Sequence, residues 1–357
     1  MRQRIVAVVA LVIATGLAAW NALGGDANVL LEGSLDLGHG VVVRRVHLDE
    51  PRLDLVVATI PRRSGLRLRA VLAPKLTPLA EIANRRALVA VNGDYHELHG
   101  FLTGKTYSSL VEGGDASDLE RYKVVGKALP DEETFWLDTD RAPHISALDL
   151  GGKLGLPETV SQGKNHRGSD AILVSEPLPG RHAPEGWKCF ALEATGKGFK
   201  VSGQAQTSFE GKALVVRESA VAAIGTALAA GTPIELSVAK KVDLAIGTGP
   251  RLLAKGEVPR RVVGGEWVRA ARTAVGFDDE RVFLVVTVHE AHNAPTMAQM
   301  GEAMKALGCR EALNLDGGPS TALWARGAVR NTSSMRTNDV GSALCVEVGE
   351  SGKDDVR

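Results

Sequence analysis

From Val41 to Val348 the chain is a succession of short apolar runs set off by glycine, proline and charge. Runs of four to eight apolar residues bounded by turn formers read as strands, because a buried helix needs a longer stretch. The pattern predicts strands at Val41–Leu48, Leu53–Ala58, Leu66–Leu72, Ala87–Val91, Ala171–Val174, Cys189–Ala194, Leu214–Arg217, Pro233–Ala239, Ala274–Phe277, Arg281–Val288, Glu311–Leu315, Thr321–Trp324 and Ser342–Val348. Three segments read as helices. Thr77-Pro78 opens one toward Arg86, with proline in the first turn. Ser219 to about Ala230 is a second, stopped by Gly231. The third starts at Thr296-x-x-Gln299, a capping box, and carries Met297, Met300, Met304 and Leu307 at helical spacing up to Gly308. Such a methionine stripe is core packing before it is a binding surface. Strands far outnumber helices and hairpin-like spacings dominate. The expected class is α+β, with a few helices packed on mixed, mostly antiparallel sheets. The 40 glycines among 357 residues, above the usual ~7%, fit a chain of many tight turns. Residues 112–170 lose the pattern and read as long loops or a small excursion.

The charge balance narrows the partners. Lys+Arg and Asp+Glu both number 42, which argues against a nucleic-acid protein. Met1-Arg2-Gln3-Arg4 followed by an apolar run from Ile5 to Trp20 has the layout of a secretory signal. The run is short for a membrane-spanning helix, and no Ala-x-Ala cleavage site follows it. Residues 1–25 are therefore expected to be a signal peptide or an N-terminal anchor. The protein is expected to be exported: periplasmic, secreted or N-terminally anchored, with membrane contact only through that segment. Residues 26–350 would form the working domain, with a possible insertion at 112–240, and 351–357 a disordered tail. Three cysteines, Cys189, Cys309 and Cys345, do not make a disulfide framework. Cys309 and Cys345 lie on or beside neighbouring predicted strands; they can pair in an oxidising compartment, or all three can be buried thiols.

Polar residues gather at strand ends. In Asn314-Leu315-Asp316-Gly317-Gly318-Pro319-Ser320-Thr321 the period-two alternation puts Asn314 and Asp316 on one face. Two glycines then allow a tight turn and close approach of a ligand, and successive N–H groups in such a turn can bind an anion. Ser320 and Thr321 add hydroxyls. The plain alternative is a turn that Asp316 merely caps. Asn92-Gly93-Asp94-Tyr95-His96 ends another apolar strand, either as a second polar cluster or as an Asn-Gly turn. Ile246-Gly247-Thr248-Gly249-Pro250 is a glycine loop too short to diagnose. Arg272-Thr273 enters a strand; arginine offers a planar fork for phosphate or carboxylate, but at a strand start it is more often a solvated charge. Asn331 and Arg336 form a fifth polar segment.

Other motifs fail on their own terms. His99-Gly100 through Gly104-Lys105-Thr106 lacks the glycine spacing and the following helix of a phosphate loop. His289-Glu290-Ala291-His292 has its histidines three apart at a strand end, unlike a helical zinc motif. No Gly-x-Ser-x-Gly elbow is present.

Together, Asn92-Gly93; Gly247-x-Gly249-Pro250-x-Leu252; Arg272-Thr273-Ala274-Val275-Gly276; Leu307-Gly308; Asn314-Leu315-Asp316-Gly317-Gly318-Pro319-Ser320; Asn331; and Arg336 resemble, in order and spacing, the phosphodiester glycosidase family. Bacterial members are often described as exopolysaccharide-biosynthesis-type proteins. The resemblance spans about residues 85–348 and is weak over 115–240. One segment departs from it: the family's Asn-Gly-Gly-aromatic-Phe is here Asn92-Gly93-Asp94-Tyr95-His96. Two extra polar groups either mark a subfamily or change the substrate or metal use.

The resemblance implies a phosphodiester-glycosidase-like fold and a hydrolase of carbohydrate metabolism. Such an enzyme cleaves the bond between a sugar's anomeric carbon and a phosphodiester oxygen, here on an envelope or extracellular glycan or a sugar-phosphate. It gives Asp316 the role of general base, nucleophile or ligand to a cation. Asp94, His96 and Glu290 become further acid–base candidates. Arg272 and Arg336 would face the phosphate; Gly317, Gly318 and Ser320 would donate to it. Asn92, Asn314 and Asn331 would hold sugar hydroxyls, with Gly93, Thr273 and His289 on the substrate side. No cofactor follows from the residues with certainty; a divalent cation is the one candidate. Two rival readings are a non-catalytic polysaccharide- or envelope-binding protein on the same fold, and a metal-dependent phosphodiesterase that cleaves P–O.

Overall fold

A computed structural model describes residues 33–83, 86–96, 110–111, 122–124, 133–148, 153–154, 156, 160, 162–163, 169–195, 198–237, 241–247, 249–260, 268–288, 294–331 and 339–349. The N-terminal apolar run, residues 97–109, His289, Glu290 and Arg336 lie outside the described residues. Among the described residues no helix is long and apolar enough to cross a membrane.

Two sheets form the centre. The first runs β1 (Ser34–Asp36), β2 (Val42–Leu48), β3 (Leu53–Pro61), β20 (Arg281–Thr287), β19 (Thr273–Phe277), β21 (Glu311–Asn314) and β18 (Arg251–Leu253). The second runs β23 (Ala328–Val329), β22 (Leu323–Ala325), β5 (Ala87–Asn92), β24 (Asp339–Val348) and β4 (Leu66–Pro78). Their inner faces share one core, with Val56, Ala58, Ile60, Leu284 and Val286 from the first and Val89, Val91, Leu344 and Val346 from the second. Each outer face carries a helix. Met297, Met300, Ala303 and Met304 of α3 (Met297–Ala306) pack on Leu55, Val57, Phe283 and Val285. Leu79 and Ala83 of α1 (Leu79–Ala83) pack on Ala90, Ala343 and Cys345. The centre is therefore a helix–sheet–sheet–helix stack. This explains the continuous apolar runs of β3 and β20: alternate residues face different cores, so both faces are buried although the pairing is antiparallel.

A third sheet, β7 (Tyr122–Val124), β6 (Leu110–Val111), β17 (Leu244–Ile246), β8 (Thr134–Leu137) and β9 (Pro143–Ser146), feeds Phe135, Leu137 and Ile246 into the central core. The fourth contains β10 (Lys153–Leu154), β16 (Pro233–Ser237), β14 (Gly198–Val201), β13 (Trp187–Thr195), β15 (Ser208–Arg217), β12 (Ala171–His182) and β11 (Gln162–Gly163). It packs with α2 (Glu218–Ile224) around Leu173, Phe190, Leu214 and Val216. Among the described residues, pairing is antiparallel except for β11 with β12. The α+β class with mostly antiparallel sheets is what the structure shows.

Several local expectations change. Residues 112–170 are not only loop: β7 to β11 lie within them as short strands. The helix expected from Thr77-Pro78 begins later, at Leu79, because β4 runs on through Pro78 paired with Asp339. The second helix shortens to Glu218–Ile224, followed by a 3-10 turn. The third is as the capping box predicts, with Thr296 Oγ1 accepting from Gln299 N–H and Gln299 Oε1 accepting from Thr296 N–H. Cys309 and Cys345 do not pair: all three cysteines are free and buried, and these two lie in the opposite outer layers of the stack.

Candidate functional site

The end of β5, the start of β19 and the end of β21 meet at one edge of the stack, and Asn92 joins them. It is fully buried and accepts from Thr273 Oγ1 at 2.6 Å and from Ala322 N–H at 3.0 Å through Oδ1. Its Nδ2 donates to the Asp316 carbonyl at 2.7 Å. Gly93 continues the junction: it donates to the Ser342 carbonyl, and its own carbonyl accepts from Asp316 N–H at 2.9 Å. A Cβ at Gly93 would lie 2.6 Å from both Ile246 Cδ1 and Ser342 Oγ, so only glycine fits between these strands. The glycine loop at 247 and 249 is the supporting wall: a Cβ at Gly249 would lie 1.5 Å from the Asn314 carbonyl oxygen. Backbone pairing continues beyond β21, with Leu315 N–H to the Thr273 carbonyl and Gly318 N–H to the Ala271 carbonyl, both 2.8 Å. That register sets Asp316 opposite Arg272.

Asp316 is held by Gly317 N–H at 2.8 Å on Oδ1 and by the Ser320 hydroxyl. Burial outweighs both bonds, and with the charge of Asp94 it pushes the carboxyl up to about 6. Asp94 is 2% exposed, its N–H given to Ser342 Oγ. His96 is 8% exposed; its Nδ1 lies 3.6 Å from Asp316 Oδ2 and has no hydrogen-bond partner among the described residues. Burial lowers the imidazole below its ordinary value, favouring the neutral ring. Arg272 is 5% exposed; its backbone N–H goes to Thr287 Oγ1 and its Nη2 to the Val268 carbonyl. Its Nε is buried without a partner, and among the described residues no carboxylate reaches it to form an ion pair. Burial lowers this guanidinium's affinity for its proton.

The structure thus brings together Asp316, Asp94, His96, Arg272, Thr273, Asn92, Gly93, Asn314, Gly317, Gly318 and Ser320. Some do different work from that expected. The polar atoms of Asn92 bind protein, and Asn331, 1% exposed, ties Leu323 N–H to the Thr321 carbonyl instead of facing a cleft. The N–H groups of Gly317 and Gly318 go to Asp316 and Ala271, and the Ser320 hydroxyl to Asp316. The anion cradle expected from this turn is therefore already filled from within. Three contributors escaped the sequence reading. Tyr95, half-buried, accepts from Asn314 Nδ2 at 2.9 Å and lies in the field of Asp316, Arg272 and Asp94. Ser342 and Thr287 anchor Asp94 and Arg272; a lone hydroxyl within or at the end of an apolar strand was the available signal. Among the described residues no group of three His, Cys, Asp or Glu side chains is arranged to hold a metal ion.

The matching segment of the family model for phosphodiester glycosidases runs from residue 194 to 347. It takes in Arg272 to Ser320 and Asn331, while the Asn92–His96 segment precedes it and reaches it through the Asn92 and Gly93 bonds. No protein of curated function matches in sequence. Among solved structures the chain is similar to a hypothetical protein from Synechocystis, with TM-score 0.63 and 18% identity over 86% of this chain and 61% of that one. It spans about three fifths of that protein. It is also similar to a Burkholderia pseudomallei protein assigned as exported, with TM-score 0.60 and 15% identity, covering 83% and 74%. These two share the fold. A looser likeness, TM-score 0.45 and 15% identity over 86% and 82%, is to the zebrafish N-acetylglucosamine-1-phosphodiester alpha-N-acetylglucosaminidase catalytic domain, auto-inhibited by its pro-peptide.

Proposed function

We propose that the protein is an exported glycosidase that hydrolyses a sugar-1-phosphodiester at the C1–O bond, on an envelope or extracellular glycan. The observation that carries this reading is the pairing of a buried carboxyl raised to about 6, Asp316, with a buried guanidinium, Arg272, that has no carboxylate partner among the described residues, at one strand edge. A desolvated cation without a counter-ion suits an anionic substrate group, and a carboxyl near neutrality suits proton transfer or attack at the sugar. In the reaction, C1–O breaks with its electron pair going to the phosphate, which leaves as the monoester. Water supplies the new C1 oxygen, directly or after a glycosyl–Asp316 intermediate, and its proton passes to a carboxylate at the site. Phosphate leaves readily as an anion, so Arg272 can balance the developing charge. Asp94 raises the proton affinity of Asp316, and the neutral imidazole of His96, 3.6 Å from that carboxyl, is the alternative acceptor for the water proton. Asn92 and Thr273 act by positioning.

The test is turnover of a panel of GlcNAc-1-phosphodiesters in ¹⁸O water, for the wild type and Asp316→Asn, with and without chelator. Label in the released sugar and a loss of at least ~10³-fold in kcat for Asp316→Asn are expected. Label in the phosphate would replace this reading with P–O cleavage; binding without turnover on any envelope polymer would replace it with a binding protein.

A further inference from the structure

Most donors around the turn after β21 are already spent within the protein. The N–H groups of Gly93 and Asp94 go to Ser342, those of Gly317 and Gly318 to Asp316 and Ala271, and that of Thr321 to Gly318. The Ser320 hydroxyl goes to Asp316. Among the described residues, the donors left at this edge include the buried Nε of Arg272, the buried Thr321 hydroxyl and the phenolic hydrogen of Tyr95.

The direction of the Tyr95 bond is fixed by its neighbour. Asn314 Nδ2 also bonds the carbonyl of Leu315, an oxygen that can only accept. Turning the amide over would set oxygen against oxygen, so the nitrogen stands in that position. One amide hydrogen goes to Leu315 and the other to Tyr95 Oη. The phenol is therefore the acceptor of that bond, and its own hydrogen is left to give. Among the described residues no acceptor takes it. Asn314 is itself fully buried on β21, whereas Tyr95 is only partly buried.

From this geometry we infer that Tyr95 and Arg272 together form the phosphate seat of the site, with Asn314 as the positioning residue that aims the phenolic hydrogen at the phosphate oxygen. The inference rests on the sugar-1-phosphodiester reading and says which groups hold its anionic half. It also gives a use to the segment where the chain departs from the family pattern: Asp94 and His96 flank Asp316 on the sugar side, and Tyr95 between them turns to the phosphate.

The experiment is direct titration of the folded protein with inorganic phosphate, by calorimetry, for wild type, Tyr95→Phe and Arg272→Lys. Steady-state kinetics on the best phosphodiester and the thermal midpoint of each variant accompany it. Losing a hydrogen bond to a charged group predicts phosphate binding weakened ~10- to 100-fold in Tyr95→Phe, with kcat lowered by a similar factor and the midpoint little changed. Arg272→Lys keeps the charge but loses the fork and should weaken phosphate at least as much. Wild-type phosphate affinity retained in Tyr95→Phe overturns the inference, as does a wild type that binds no phosphate. If both variants lose phosphate binding and no sugar is released from any substrate, the seat stands and the glycosidase reading falls.

Discussion

At the scale of single residues, Asp316 shows why a site can be legible as a motif yet unpredictable as chemistry. Its place after an apolar strand and before two glycines is evident from the chain alone. Its proton affinity is not, because that comes from burial and from the charge of Asp94, a residue 222 positions away that the fold brings near, next to the Gly93 carbonyl that accepts from Asp316 N–H. The raised carboxyl has a measurable consequence for stability. A carboxyl with a folded value of about 6 and an ordinary value of 3.8 imposes no penalty below pH ~4. As pH rises from there through 6, the unfolded chain releases its proton first and stability falls. Asp316→Asn removes the ionisable group and keeps an oxygen for Gly317. The variant should therefore equal wild type near pH 4 and exceed it by an amount on the order of 2–3 kcal/mol at pH 7 to 8. Urea unfolding at the two pH values measures this; a difference that does not grow with pH would show that burial of the charge is not what raises the carboxyl.

Elements carry the next level. The helix Met297–Ala306 was readable in full because its signals are local: a capping box, a stripe of apolar residues and a terminal glycine, Gly308, at φ +88°. Its position against β18 depends on a contact no periodicity reveals, since a Cβ at Gly301 would lie 2.7 Å from the Leu252 carbonyl oxygen. Removing the cap in Thr296→Ala should cost about 1 kcal/mol and lower the thermal midpoint by a few degrees. Thr296→Ser should restore most of it; calorimetry distinguishes the two. The helix expected at Thr77 shows the opposite case. The start signal was present, but pairing of Asp339 with Pro78 and of Val340 with Thr77 extends the strand through both residues. Long-range ladder bonds outweigh a local preference here.

In the whole molecule, the site is a seam between two sheets, and Asn92 is its fastening. One buried amide ties β5 to β19 through Thr273, to the turn after β21 through the Asp316 carbonyl, and to the entry of β22 through Ala322 N–H. Asn92→Ala leaves all three of those groups without partners in a buried place. It should cost several kcal/mol, about 1–3 for each orphaned group, and reduce activity although residue 92 touches no reacting atom. Asn92→Asp keeps the acceptor for Thr273 and Ala322 and loses only the donor to Asp316. Its midpoint should fall between wild type and Asn92→Ala; equal midpoints for the two variants would show that Oδ1 is not the fastening atom.

Strand positions, the capped helix, the α+β class and the residue types of the site follow from local pattern, because alternation, capping and turn chemistry act over a few neighbours. Asn92-Gly93, Arg272-Thr273 and Asn314 to Ser320 could be singled out as polar strand ends in this way. Which of their atoms are free could not. Asn92, Asn331, Gly317 and Gly318 looked like ligands for a substrate and turned out to bind protein, while Tyr95 looked like an aromatic and turned out to hold an unspent donor. The reason is that a hydrogen bond is spent by whatever partner arrives first in space, and at this edge the partners come from strands separated by hundreds of residues. The chain itself determined which chemical groups stand at the strand ends; only the packing of the two sheets decided which of those groups remain for a substrate.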